Sequence, residues 1–350
     1  MRFFISRYLL LSIISIFSFE IQSNEQRDHF VSDVKEFVPY SIEAPISEGF
    51  LQVSEKHEIY YATYGNPNGV PVVILHGGPG IGCSDEYSRF FDLNYWHVIM
   101  FDQRGAMRSK PFACMEENTT QHSVTDIESL RIHLGIQQWV VFGHSWGSCL
   151  ALIYGQSYPE SCLGFILEGT FLGRDKDISF FRDMGKVSAG AYADFLANIP
   201  LEEQNDVPKT CYQRLMDSDP NIHMSMARAL MRYQLLNTNN PPSAEIIQKI
   251  LSDDRFILSF IRAFVHYAIH QCFLQPNQVL ENVSKISHLP CIIVHGSLDT
   301  VCPLEQSALL HESWQNSELW IIEGAGHSCR EPTITNALVE ATTAYIIKMQ

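Results

Sequence analysis

Short apolar runs recur along the chain, separated by polar, turn-forming stretches. Val72-Val73-Ile74-Leu75, Trp139-Val140-Val141-Phe142, Cys291-Ile292-Ile293-Val294 and Leu319-Trp320-Ile321-Ile322 are four of them, and His97 to Phe101 and Leu163 to Leu167 are two more. Runs this short, apolar without alternation, predict strands covered on both faces, as in a parallel sheet. Ile46 to Tyr64 alternates and is turn-rich, so it predicts a leading β-hairpin. Helical spacing lies between runs: Val124, Ile127, Leu130 and Leu134 recur on one face, and Gly135 supplies a stop. The alternation predicts an α/β fold with a mostly parallel, twisted sheet. From Phe171 to about Asn282 the strand signal disappears, and Met, Leu, Phe and Tyr recur at helical spacing. This predicts an inserted α-helical cap over residues 171–282, with a turn at residues 237–242 and a core made of residues 24–170 and 283–350.

The N-terminus does not fit that fold. Arg2 and Arg7 flank an uncharged, mostly apolar run from Tyr8 to Phe19. Its length suits a signal-peptide core and falls short of the roughly 20 residues that span a bilayer. Residues 1–23 are therefore expected to be a signal peptide cleaved near Ser23, the alternative being an uncleaved anchor. The expectation is an exported protein, periplasmic or secreted, with no stable membrane span after processing.

Charge narrows the partners. A formal net charge of −15 repels nucleic acid, and no basic stripe interleaved with aromatics is present. The nine cysteines leave at least one unpaired in a monomer, and none has the Cys-x-x-Cys spacing of a zinc site. Export permits disulfides, yet Cys149, Cys162 and Cys291 sit in apolar runs and read as core. No cofactor is implied, and nothing sets an oligomeric state.

The chemistry centres on Gly143-His144-Ser145-Trp146-Gly147, between a predicted strand and a predicted helix. That context makes it a nucleophile elbow, with Ser145 as nucleophile. A serine hydroxyl needs a base, and the base needs an acid to hold its tautomer. Downstream, the strand ending at Gly296 delivers Asp299, the expected acid, and the strand ending at Ile322 leads to His327, the expected base. Asp85, Asp102 and Asp126 precede the serine and break the order Ser, acid, His. An oxyanion hole needs two N–H donors. Trp146, after the nucleophile, is one. The other is expected from His76-Gly77-Gly78-Pro79-Gly80, where Pro79 has no N–H, Gly78 is the first choice and Gly77 the second.

Together, HGGPG at His76, Asp102-Gln103-Arg104-Gly105 followed by Ser109, the elbow through Ser148, Asp299-Thr300-Val301-Cys302-Pro303, and Gly326-His327-Ser328 followed by Glu331-Pro332 resemble the proline iminopeptidase (prolyl aminopeptidase) group of α/β-hydrolases. The resemblance spans most of the chain after about Phe50. It implies the α/β-hydrolase fold and a serine exopeptidase that removes an N-terminal proline or small apolar residue from a peptide through an acyl-enzyme. It implies that Cys302 lines the site without acting as nucleophile.

Departures from the family pattern concern recognition. The family carries two cap glutamates that hold the substrate α-ammonium; the matching positions here are Gln234 and Phe264. A buried ammonium without a counter-charge is costly. The acyl-transfer parts therefore look intact while amine recognition is altered, which supports a second reading as an esterase, amidase or lactonase. A third reading, a non-catalytic binding module, is opposed by the complete triad. Met107 stands where the family has glycine, and Glu168 where it has arginine. Strand ends are where ligands bind in such sheets, so Glu168 is either a replacement counter-charge for an ammonium or a structural partner of Arg174 or Arg104.

Overall fold

The computed structural model describes residues 38–237 and 241–349, so the expected leader, and residues 238–240 of the expected cap turn, lie outside the described residues. Eight strands form one sheet: β1 Ser47–Gln52, β2 Glu58–Gly65, β3 Val70–Leu75, β4 Trp96–Phe101, β5 Trp139–His144, β6 Cys162–Glu168, β7 Cys291–Gly296 and β8 Ser317–Ile322. Their order is β1-β2-β4-β3-β5-β6-β7-β8. Only β1–β2 and β2–β4 are antiparallel. Winding reverses between β3 and β5, which run parallel with Leu75 opposite Gly143. The loops leaving their C-terminal ends therefore diverge, and the crevice between them is where such sheets bind ligands.

The apolar runs are continuous because helices cover both faces. Trp139 and Val141 point into one cluster, beneath α1 (Thr120–His133) and α2 (Trp146–Ser157). Val140 and Phe142 point into the other, which contains Tyr87, Phe90 and Phe91 and, from the C-terminal helix, Ile334, Leu338 and Tyr345.

Between β6 and β7 the described residues make no strand. It forms α3 (Ala189–Leu196), α4 (Val207–Leu215), α5 (Pro220–Leu236), α6 (Ala244–Leu251), α7 (Asp254–Ile269) and the short α8 (Gln278–Glu281). After β7 come α9 (Glu305–Ser313) and, after β8, α10 (Pro332–Met349). The cap helices start at Ser188, Asp206, Asp219, Ser243 and Asp253, each accepting a backbone N–H of the first turn. Such caps stabilise by about 1 kcal/mol each. The α3–α7 faces share a third apolar cluster. The return to the core precedes Val283: Tyr267, Cys272 and Val279 already pack in the cluster beneath α2. All nine cysteines are free thiols, eight of them buried. Among the described residues, no single helix is long and apolar enough to cross a membrane.

Candidate active site

Ser145 sits between β5 and α2 with φ 56° and ψ −124°, a conformation L-residues avoid. The turn is tight enough that a Cβ on Gly147 would lie 1.9 Å from the Leu75 carbonyl oxygen. The strain is held from both sides: the Ser145 N–H donates to the Glu168 carbonyl at 2.9 Å, and the Ser145 carbonyl accepts from the Ser148 N–H at 2.9 Å. The side chain stays half-exposed while His144 and Trp146 are buried.

The structure brings Ser145, His327 and Asp299 into one hydrogen-bonded series. His327 Nε2 lies 2.9 Å from Ser145 Oγ, and His327 Nδ1 lies 2.7 Å from Asp299 Oδ2. A carboxylate only accepts, so Nδ1 carries the proton and Nε2 is free to take the serine proton. The other Asp299 oxygen accepts the N–H groups of Val301 and Cys302, both at 2.8 Å. Burial pushes the Asp299 carboxyl up, but His327 and His295 outweigh it and hold it below the usual carboxylate range. His295 is itself fixed, donating from Nε2 to the Cys302 carbonyl at 2.7 Å and accepting at Nδ1 from Ser307 at 2.7 Å.

The glycine-rich loop after β3 is tied to the elbow by a side chain that sequence reasoning did not single out. His76 is fully buried, and burial lowers its pKa. Its Nδ1 donates to the Gly77 carbonyl at 2.9 Å, and its Nε2 accepts the Gln103 N–H at 3.1 Å. Gln103 then donates to the His76 carbonyl at 2.9 Å and accepts the Trp146 indole N–H at 3.0 Å. Gly77 is the loop residue against the nucleophile, since a Cβ on it would lie 3.1 Å from Ser145 Cβ. Gly78 follows with φ 114°. Trp146 opens α2, so its N–H has no intrahelical acceptor. Asp102, set aside on chain order, is committed elsewhere: it accepts from Arg108 at 2.7 and 2.9 Å and from the Cys83 N–H at 2.7 Å.

Cap helix α7 closes over these loops through another unanticipated residue. Ser259, fully buried, donates to the Gly80 carbonyl at 2.6 Å and accepts the Met107 N–H at 3.0 Å. Arg255 donates to the Met107 carbonyl, and His266 Nε2 donates to the Asn118 carbonyl at 2.9 Å. Met107 adopts φ 34°, in the region that favours the glycine of the family pattern. The contacts from Ser259 and Arg255 explain how a methionine is held there.

Cys302 is 2 % exposed with its thiol at the Ser145 side chain; burial pushes that thiol well above its ordinary pKa, so it stays protonated and unreactive. Phe264 lies half-buried on α7, edge-on to Phe180 with ring centroids 4.9 Å apart. Gln234 is half-buried on α5. Neither makes a hydrogen bond or ring contact with the Ser–His–Asp series among the described residues. Glu168 takes neither of the places considered for it. It is 0 % exposed and hydrogen-bonded to His144, whereas Arg174 pairs with Asp177 and Glu305, and Arg104 pairs with Asp126. A side chain sealed behind the strand end cannot meet an incoming ammonium. Two cavities, about 450 and 410 Å³, lie between α3 and α5 and beside Tyr87 and Cys329, and neither is lined by Ser145, His327 or Asp299.

A mostly parallel sheet carrying a strained serine turn at its switch point defines a hydrolase of the α/β-hydrolase class. Residues 70–329 match the family profile described as the alpha/beta hydrolase fold. The chain is 43 % identical over 310 residues to a probable proline iminopeptidase of Leptolyngbya boryana, covering 88 % of this chain and 96 % of that one. It is 42 % identical over 301 residues to the proline iminopeptidase of Arabidopsis thaliana, covering 85 % and 79 %. The chain therefore belongs to the proline iminopeptidase family. Among solved structures, a proline iminopeptidase of Mycobacterium smegmatis superposes with a TM-score of 0.55 at 16 % identity, over 87 % of this chain and 100 % of that one. An esterase from Exiguobacterium antarcticum superposes with a TM-score of 0.57 at 20 % identity, over 85 % and 98 %. At these identities the likeness is one of fold.

Proposed function

We propose that this protein is a serine exopeptidase that releases an N-terminal proline or small apolar residue from peptides. The observation that carries the reading is the hydrogen-bonded series Ser145–His327–Asp299 in a chain of this family. Ser145 Oγ attacks the carbonyl carbon of the N-terminal residue as His327 Nε2 takes its proton. The oxyanion that forms is met by the N–H groups of Trp146 and Gly78, where losing one donor typically costs ~3–4 kcal/mol of transition-state stabilisation. The C–N bond then breaks, with His327 returning the proton to the leaving amine. Water, activated by the same imidazole, hydrolyses the acyl-enzyme. Asp299 holds the imidazole and stabilises its charged form.

Gln234 and Phe264 favour a second reading, an esterase, amidase or lactonase with the same series, because both positions lack the negative charge an ammonium requires. A panel of N-terminally free aminoacyl amides, N-blocked amides and simple acyl esters decides between them, with Ser145→Ala as control. Preference for the free amines supports the exopeptidase. Preference for esters or N-blocked amides refutes it.

Export belongs to the same proposal. It rests on the charged flanks and apolar run of residues 1–23. Eight buried thiols are protected from an oxidising compartment. N-terminal sequencing of protein recovered outside the cytoplasm tests it; an intact Met1 there indicates an anchor, and retention in the cytoplasm refutes export.

A further inference from the structure

His144 and Glu168 end β5 and β6 and are register partners on adjacent parallel strands. Their side chains therefore leave the sheet on one face. His144 Nδ1 and Glu168 Oε2 are hydrogen-bonded, with the side chains 1 % and 0 % exposed. The far atoms of the pair, His144 Nε2 and Glu168 Oε1, are buried and have no hydrogen-bond partner. Polar atoms left in that state are costly, and an apolar pair of similar shape is often the more stable choice. Fold stability alone gives no reason for this one.

Its surroundings do. Ser145 follows His144 in the chain, and its N–H is held by the Glu168 carbonyl. Gly169 follows Glu168 and lies against the His327 ring: a Cβ on it would lie 3.0 Å from His327 Cε1. The His144 and His327 ring centroids are 5.3 Å apart. We propose that Glu168 is a positioning residue for His327: with His144 it forms a proton-holding pair beneath the triad, neutral while it keeps its proton, and its ionisation strengthens His327 as a base. The inference rests on the triad reading above.

Burial pushes the Glu168 carboxyl up to about 8 and the His144 imidazole down to about 4. Near neutral pH the proton therefore sits on the carboxyl, which donates to His144 Nδ1. From the end of β7, Asp299 and His295 face Glu168, and from the loop before α10 so do His327 and Glu331. Arg330 faces His144 and is paired with Glu86 at 3.2 Å, while Glu331 accepts the Gly326 N–H at 2.8 Å. Other titratable neighbours are His76, which burial lowers, and Tyr87, Cys302 and Cys329, which burial pushes up, so all four are neutral. When the pair ionises, the Glu168 O–H electron pair stays on the carboxylate, the proton moves onto His144 Nδ1, and the Nε2 proton of the same imidazole passes to solvent, so that the neutral ring donates to the new carboxylate. The new anion favours the imidazolium that His327 becomes in the transition state.

The test is kcat/KM against pH, from about pH 5 to about pH 10, for wild type and Glu168→Gln on one free-amine arylamide substrate. Titration of the substrate amine is common to both enzymes and cancels in their ratio. Wild type is expected to gain on the order of threefold to tenfold over Glu168→Gln as pH passes about 8. A ratio that stays constant across the range overturns the proposal. Should Glu168→Gln fail to fold, infrared titration of wild type decides: a carbonyl band of a buried protonated carboxylic acid must persist at neutral pH and vanish near pH 8. Absence of that band overturns the proposal with the function intact. Activity retained by Ser145→Ala would instead overturn the triad reading and leave the infrared result standing.

Discussion

Gly169→Ala is expected to separate the geometry of the catalytic imidazole from the stability of the fold. Gly169 has φ 57°, where an alanine costs about 1–2 kcal/mol. Its new Cβ would lie 3.0 Å from His327 Cε1, 3.1 Å from Nδ1 and 3.6 Å from Asp299 Oδ2. Ordinary carbon contacts begin near 3.5 Å, so the ring must yield by roughly 0.5 Å. It has nowhere slack to go, being held at 2.7 Å by Asp299 and at 2.9 Å by Ser145. The same displacement stretches the serine contact toward roughly 3.4 Å, beyond good proton-transfer reach. A misplacement of about 1 Å costs on the order of a hundredfold, so kcat/KM should fall about tenfold to a hundredfold, chiefly in kcat. Thermal unfolding should show a loss of a few degrees. Gly135→Ala is the control: its φ is 68° and nothing lies within 4 Å of the added Cβ. It carries the same backbone strain and should lose comparable stability with unchanged kcat/KM. The reasoning is refuted if Gly169→Ala keeps wild-type kcat, or if Gly135→Ala loses activity in parallel.

Ser145→Ala and His327→Ala should each abolish turnover on every substrate class, with the double mutant no slower than either, as kinetics on purified proteins will reveal. Asp299→Asn should stay folded, because an amide oxygen can still accept from Val301 and Cys302, but lose on the order of 10⁴ in kcat through the wrong imidazole tautomer. Ser259→Ala leaves the Gly80 carbonyl and the Met107 N–H without their partner, so chemical denaturation should register a loss of about 1–3 kcal/mol. The folded-state pKa of Glu168 is raised, so its contribution is full below the unfolded value near 4.5 and is lost as pH rises through about 8. Wild-type Tm should therefore fall more steeply than that of Glu168→Gln from about pH 5 to about pH 8, and parallel slopes would contradict this.

What could be read from the chain was what is local. The elbow is contiguous, and its glycines announce a turn too tight for any Cβ. The buried strands announce themselves because both faces are covered. Their ends were less legible: β3 begins at Val70-Pro71 and β8 at Ser317-Glu318, where polar or ring-locked residues continue the pairing. The cap helices carried capping signals at Ser188, Asp206, Asp219, Ser243 and Asp253, but helical spacing alone did not divide the segment into separate elements. Non-local pairings left no trace. His144 meets Glu168 because two strands align in register, Asp102 is taken by Arg108 through the fold of one loop, and Gln103 joins His76 to Trp146 across three segments. No spacing rule predicts these contacts, and the roles weighed for Glu168 failed for that reason.

The attachment of α7 bears on how this scaffold can be re-engineered. Swapping the segment between β6 and β7 as a detachable module would exchange Ser259, Arg255 and His266 along with whatever shapes specificity. Their partners, the Gly80, Met107 and Asn118 backbones, would stay behind in the recipient. A workable chimaera places its second crossover before Asp254 and keeps α7 with the hydrolase half. Recombination libraries cut at that seam should yield soluble, active proteins more often than libraries cut at the end of the helical insertion.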